Sequence, residues 1–358
     1  MAALLAPYQV DAASLQHKWQ AGQQLNYVVA LDGTVTVELD PTVPFLLAGI
    51  PIDGKVNGEA DMILDTREVA DDGAATLALT VPRLTAKGSA WEQQATLAVK
   101  NDRATVTFNG QPWGKGFEVA WLTQPSFGVQ ISPQARIQKV VSLKSPAGTG
   151  EANPGLGNPE GTGVPNAGQA PNVMAGVPVN VAGLMRSMLL QLLPALWPNR
   201  EVAPGESWSV ESRLPVPAQK NMDGATAPKL EVMSLGKFDL TLQDEEEVEG
   251  RKAFRIAMTG QIDLDKSKAA RLNDLAGAKA RGNKFTNIGQ KVSGDLWFDA
   301  AAGQLVKADL KLNGQMAGAV AVPSRDAIKS LPWNGAQTFD GTLKINLRSV
   351  SFAALPTP

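Results

Sequence analysis

Apolar residues at every second position recur through most of this chain, and that period fixes the fold class before any other feature does. Leu25, Tyr27, Val29 and Leu31 alternate with more polar neighbours, and Val35, Val37 and Leu39 resume the pattern after Asp32-Gly33. An Asp-Gly pair between two alternating runs is a strong hairpin signal, so a two-residue turn is predicted there. Comparable alternation returns at 62–69, 75–81, 95–99, 104–108, 296–298, 306–312 and 343–347. The expected fold is mainly β, with little helix.

The alternation stops between Ser145 and Pro171, where Gly, Pro, Asn, Ala and Thr replace almost every large apolar residue. Such a stretch buries too little surface to repay its ordering entropy, which predicts a linker or surface loop. The expected division is a first β unit over 1–144, a Gly/Pro-rich linker over 145–172, and an apolar helix with a second β unit over 173–358. At 358 residues, each half is long enough for a core of its own. Within Val181–Leu196, Leu184, Met185, Met188, Leu189, Leu190, Leu192 and Leu193 occupy most faces of a helix that should end near Pro194 and Pro198. Arg186, Gln191 and Pro194 interrupt that apolar run, which falls short of the roughly 20 residues that span a bilayer, so no transmembrane helix is predicted.

An internal repeat is the second organising feature. The stretch from Gly58 to Gly73 aligns with that from Gly236 to Gly250 after one loop deletion. Upstream, the Ala21-Gly22 run matches Pro204-Gly205; downstream, Phe108-Asn109-Gly110-Gln111 matches Leu312-Asn313-Gly314-Gln315. Each unit reads as glycine then strand, an acidic hairpin, and a second hairpin ending in Asn-Gly. Duplication is the reading taken, against chance similarity of β-patterned sequence. The fold expected is two related antiparallel curved-sheet or half-barrel units, with one apolar α-helix after the linker.

Three runs carry a resemblance: Leu189-Leu-Gln-Leu-Leu-Pro-Ala-Leu-Trp-Pro198, Val202-Ala-Pro-Gly205-Glu-Ser-Trp208, and Gly294-Asp-Leu-Trp-Phe-Asp-Ala-Ala-Ala-Gly-Gln-Leu-Val306. With them the chain resembles an uncharacterised family of exported, lipoprotein-like bacterial β-rich proteins without an established activity. The resemblance implies export and a curved-sheet architecture, and no chemistry. The chain has no lipobox cysteine, unlike the lipoprotein members.

Chemistry-bearing groups are sparse. There is no cysteine and a single histidine, His17, outside any recognisable motif, so thiol chemistry is excluded and a zinc or copper site is not expected. No Gly-x-Ser-x-Gly elbow offers a nucleophile, and His17 reads as a surface or strand-edge residue. Asp61, Asp65, Glu68, Asp71 and Asp72 form one acidic cluster, and Asp244, Glu245, Glu246, Glu247 and Glu249 another. Neither follows the spacing of a calcium loop, and both read as solvated hairpin turns, with Ca²⁺ and a glycosidase carboxylate pair as the sharper alternatives. Lys266, Lys268, Arg271, Lys279, Arg281 and Lys284 form a basic stretch that would suit acidic headgroups, an anionic polymer or an acidic partner; its plainer reading is a solvated helix or long loop. Positive and negative charges balance to −2 overall, which argues against nucleic acid.

Eight tryptophans against two tyrosines is the remaining oddity. Trp208 and Trp297 read as structural strand residues. Trp113 and Trp333, flanked by proline with glycine or asparagine, read as loop residues open to a ligand. Together with Leu189, Leu193 and Trp197 they are the predicted contacts. The function expected is a non-catalytic extracytoplasmic binding protein without cofactor or metal, its leader absent from this sequence, sheltering a lipid or other apolar ligand. The alternative is a structural or scaffold subunit of a cell-envelope or surface-layer assembly with a protein partner. Peripheral membrane association is compatible with either.

Overall fold

The computed structural model describes residues 12–39, 52–90, 93–112, 116–119, 123–124, 127–132, 137–143, 196–198, 200–217, 230–265, 267–269, 284–322 and 331–352. The first portion supplies β1 (Ala13–Ser14), β2 (Gln23–Leu39), β3 (Ile52–Val69), β4 (Ala75–Ala90), β5 (Gln93–Lys100) and β6 (Arg103–Phe108). Short strands follow: β7 (Gln111–Pro112), β8 (Phe117–Glu118), β9 (Phe127–Ile131) and β10 (Ile137–Ser142). The later portion supplies β11 (Glu201–Val202), β12 (Ser207–Pro217), β13 (Leu230–Val248), β14 (Arg251–Leu264), β15 (Lys284–Asp299), β16 (Gln304–Val322) and β17 (Leu331–Phe352).

The fold is mainly β, with essentially no helix among the described residues beyond a turn at 267–269. All strands except β1 and β11 belong to one 15-stranded antiparallel sheet, which does not close into a barrel. Its main path runs β12-β13-β14-β15-β16-β17-β2-β3-β4-β5-β6-β7, with β8 on β6 and β9 on β4 and β10, so β17 lies against β2 and joins the two meanders. The halves thus share one sheet. The predicted linker over 145–172 and almost all of the predicted helix over Val181–Leu196 lie outside the described residues.

Among the described residues, three connections are two-residue hairpins whose central residues are both left-handed: Asn101-Asp102, Asn109-Gly110 and Glu249-Gly250. Left-handed pairs match the natural twist of the flanking strands, which is why Asn, Asp and Gly sit there. Asp32-Gly33 is not a turn, contrary to expectation. Strand β2 passes straight through it, with Asp32 opposite Thr342 and Gly33 opposite Gly341. The ring of Phe339 lies over the two glycines, so that a Cβ on Gly33 would stand 2.8 Å from its ring carbons. Asn313-Gly314 likewise runs straight inside β16, opposite Lys291 and Gln290.

The two meanders begin alike. Gly22 and Gly205 both have φ near +80°, at 78° and 85°. The Gly22 N–H donates to the Thr66 carbonyl at 2.8 Å and the Gly205 N–H to the Leu242 carbonyl at 2.7 Å. In each case the next strand of the meander receives the bond.

Alternation sorts each long strand into two faces. Leu25, Met62, Leu64, Leu77, Leu240, Ile256, Phe298 and Ile345, drawn from both halves, form one buried cluster on the apolar face. The expectation of a separate core for each half is replaced by this shared one. Leu15, Trp197 and Val202 pack onto this cluster from outside the sheet, at the end where β2, β4, β12, β14 and β16 begin. A smaller cluster of Ala253, Trp297 and Val306 lies apart from it.

Candidate functional site

The sheet presents one surface that its own packing does not bury. From β16 through β17, β2, β3, β4 and β5 to β6, the apolar face includes Leu31, Val35, Val56, Leu84, Leu97, Leu312, Met316 and Phe339, all only half-buried. At its margin Phe108 is 41% exposed, one of two large apolar side chains left so open among the described residues. The pairings Val35 with Phe339, Val56 with Gly33, Ala60 with Leu84, and Leu97 with Val106 set these positions side by side across the strands.

The charged residues of the same strands stand at the intervening positions, hence on the opposite face, because successive side chains of a strand alternate. Lys55, Glu59, Lys87, Lys311, Asp340 and Lys344 are all exposed there. That polar face is laced by cross-strand ion pairs. Arg83 binds Asp61 at 2.8 Å and Glu59 at 2.9 Å, and Arg348 approaches Asp61 from β17 at 3.7 Å. Arg255 forks onto Asp295 through two 3.0 Å bonds. One face is therefore built for water and the other is free of formal charge along its half-buried stretch.

Near the buried end of the sheet, polar groups are held on both faces. Tyr27 donates its phenol to the Leu305 carbonyl at 3.2 Å, and burial pushes that phenol well above its ordinary pKa. Asp65 is nearly covered and pairs with Arg67 at 2.9 Å. Desolvation raises its carboxyl pKa, with Arg67 and Gln24 pulling the other way. His17 was expected at the surface or a strand edge. It is part-buried, stacks on Trp19 with ring centres 4.5 Å apart, and meets Phe298 and Trp197 edge-on.

Only two of the five predicted contact residues fall among the described ones. Trp113, Leu189 and Leu193 lie outside the described residues. Trp333 is in strand β17 opposite Val320, not in a loop; the flanking Pro332 is tolerated within the ladder opposite Ala321. Trp197 is buried in the core, donating its indole N–H to His17. Trp208 and Trp297 are strand residues as expected, with indoles bonded to the Leu196 carbonyl and to Glu246. In the basic stretch, Lys266, Arg271, Lys279 and Arg281 fall outside the described residues. Lys268 sits in the turn capped by Asp265, and Lys284 opens β15.

The first acidic cluster divides between the polar face and the β3–β4 turn, and the second ends at the β13–β14 turn. Among the described residues no three His, Cys, Asp or Glu side chains are grouped so as to hold a metal ion, and no helix is long and apolar enough to cross a membrane. Sequence reading missed the half-buried face itself. Its signal was present in the apolar and glycine positions of 54–60 and 84–90, which alternate with polar or charged residues.

No family model matches the chain, and no curated protein matches it. Among solved structures it has weak similarity to one described as "Lipid-protein interactions in lipovitellin", at 12% identity and a TM-score of 0.36 over 95% of this chain. The chain spans only 26% of that protein's length. Pseudomonas aeruginosa OpdQ aligns over 90% of this chain at 7% identity, with a TM-score of 0.14.

Proposed function

We propose that this chain is a non-catalytic, extracytoplasmic binding protein whose apolar sheet face shelters lipid or another apolar ligand. One observation carries the reading: seven adjacent strands, β16 to β6, keep an uncharged apolar face half-exposed while their charges sit on the opposite face. At a strand spacing of about 4.8 Å that face is roughly 29 Å across, wider than the scattered apolar residues any protein surface carries. Contiguous apolar area of this kind marks a binding surface. Covering it returns roughly 25 cal/mol for each Å² removed from water, with no compensating desolvation of charge.

The test is recovery of ligand. Native mass spectrometry of the protein purified from a lipid-containing host should show adducts in the mass range of acyl lipids. Delipidated protein should then bind a fluorescent fatty-acid probe saturably. Val56→Asp and Leu84→Glu, which place charge on the face at half-buried sites, should weaken the probe at least tenfold without unfolding the chain. Protein that carries no adduct and binds no probe would refute the reading.

A scaffold subunit is the second reading. Its supporting observation is β12, paired on one side only among the described residues, with Ser207, Ser209 and Glu211 exposed along it. An open edge of 11 residues can accept another strand. A stable complex in which the β12 backbone gains hydrogen-exchange protection, together with failed probe binding, would favour it.

A further inference from the structure

We propose that in the ligand-free protein the apolar face closes on a second copy of this chain, the two copies packing face to face about a two-fold axis that runs along β3. Two observations argue for this occupant: the area of the face, and an asymmetry of side-chain size across it. The inference rests on the reading of this face as a binding surface and names its partner when no lipid is present.

The seven strands from β16 to β6 span roughly 29 Å, and the half-buried stretch of β2 from Val29 to Val37 adds roughly 26 Å at about 3.3 Å per residue. The product, roughly 750 Å² per copy, matches the roughly 800 Å² that each partner gives to a standard interface. One further copy is therefore enough to cover the face. No formal charge lies on the half-buried stretch to be desolvated.

On β16, β17 and β2 the face is a ridge. Leu312, Phe339, Leu343, Leu31 and Val35 stand on adjacent strands there, and the Phe339 ring covers Gly33 and Gly341. On β3, β4 and β5 it is a basin. Gly54, Gly58, Ala86, Gly88 and Ala95 surround Val56, with Leu84 and Leu97 as a rim. The fold does not demand glycine at two of these positions: a Cβ on Gly58 would come no nearer than 3.4 Å to atoms beyond its chain neighbours, and one on Gly88 no nearer than 3.9 Å. Space is left where the chain itself would accept a side chain.

β3 is the middle of the seven strands, so a two-fold axis along it lays β2 over β4, β17 over β5 and β16 over β6 of the other copy. Leu31 and Val35 then face Ala86 and Gly88, and Phe339 faces Ala95. The exposed ring of Phe108 faces Gly314, where a Cβ would meet nothing nearer than 3.5 Å. Each match recurs in reverse, which is the condition for an isologous interface. Stacked sheets lie about 10 Å apart with interdigitated side chains, and bulky residues set over small ones fill that gap.

The chain has no cysteine, so a single introduced thiol reports its own position. Val56 lies on the apolar face at the axis, and Asn57, next to it in sequence, is exposed on the opposite face. Delipidated wild type should sediment as a dimer at tens of micromolar. Delipidated Val56→Cys, treated with a bismaleimide that spans about 10 Å, should cross-link to a covalent dimer at least tenfold faster than Asn57→Cys. Gly88→Leu puts bulk into the basin and should weaken the dimer at least tenfold while still taking the fluorescent fatty-acid probe. A delipidated monomer, or cross-linking at position 57 as fast as at 56, would overturn the pairing. The lipid reading fails separately: a dimer that never takes the probe keeps the pairing and loses the lipid, and a monomer that takes it does the reverse.

Discussion

Gly341→Ala and Gly88→Ala are the same substitution on the same sheet, and the structure gives them opposite signs. A Cβ on Gly341 would lie 2.4 Å from the Asp32 carbonyl oxygen, 2.6 Å from Phe339 Cζ and 2.9 Å from the Gly33 Cα. Two of these neighbours are backbone atoms, so no rotamer change clears them; β17 and β2 must part by about 1 Å to restore ordinary contact. Overpacking of this kind costs about 1–3 kcal/mol, partly offset by about 0.4–1 kcal/mol from the smaller entropy of the unfolded alanine chain. The net expectation is a loss of about 1–2 kcal/mol. At Gly88 the nearest heavy atom to an added Cβ is the Lys55 carbonyl oxygen at 3.9 Å, so only the favourable contribution remains. Gly88→Ala should gain about 0.5 kcal/mol. Urea unfolding followed by tryptophan fluorescence should place the two midpoints on opposite sides of the wild type, with similar slopes. Gly341→Ala as stable as wild type would refute the claim that the β17–β2 seam is closed around its glycines.

Tyr27→Phe removes the bond to the Leu305 carbonyl inside the core and should cost about 1 kcal/mol, read in the same urea titration. Asp65 predicts a pH signature. Burial raises its folded-state pKa, so its contribution to stability is full below the unfolded value of about 3.9 and is lost as pH rises through the folded value. Asp65→Asn should therefore melt above wild type at pH 7 and converge with it at pH 3; a variant less stable at pH 7 would show that pairing with Arg67 outweighs desolvation. Glu206 has the opposite sign: the Ala203 N–H and then Arg200 hold its pKa down. Glu206→Gln should lose most stability above the unfolded carboxylate value and approach wild type as the solution is acidified.

Strand identity was legible in the sequence because the period of two survives wherever one face is buried. Pairing was not. Asp32-Gly33 and Asn109-Gly110 carry the same turn chemistry, yet only the second turns, with φ of 48° and 78°. The difference is Phe339, some 300 residues away, whose ring covers Gly33 once β17 docks; no local signal announces it. Trp333 misled for a related reason: Pro332 and Asn334 suggest a loop in isolation, while the ladder with β16 extends β17 through both. The half-buried face was written in 54–60 and 84–90, but alternation shows which residues share a face without showing whether anything lies over it.

Strand β2 acquires its β17 neighbour across a very long stretch of chain; the bond from Asn26 to the Ser349 carbonyl spans 323 residues. At a synthesis rate of about 5–20 residues per second, β2 waits roughly 15–65 s on the ribosome before the strand that completes its edge emerges. Through that interval β2 offers unpaired amides and carbonyls beside an apolar face, which is the species most prone to misassembly. The charged side chains at alternate positions of β2 and β3, Asp32, Glu38, Lys55 and Glu59, then serve as gatekeepers for a nascent chain as well as solvation for a finished one.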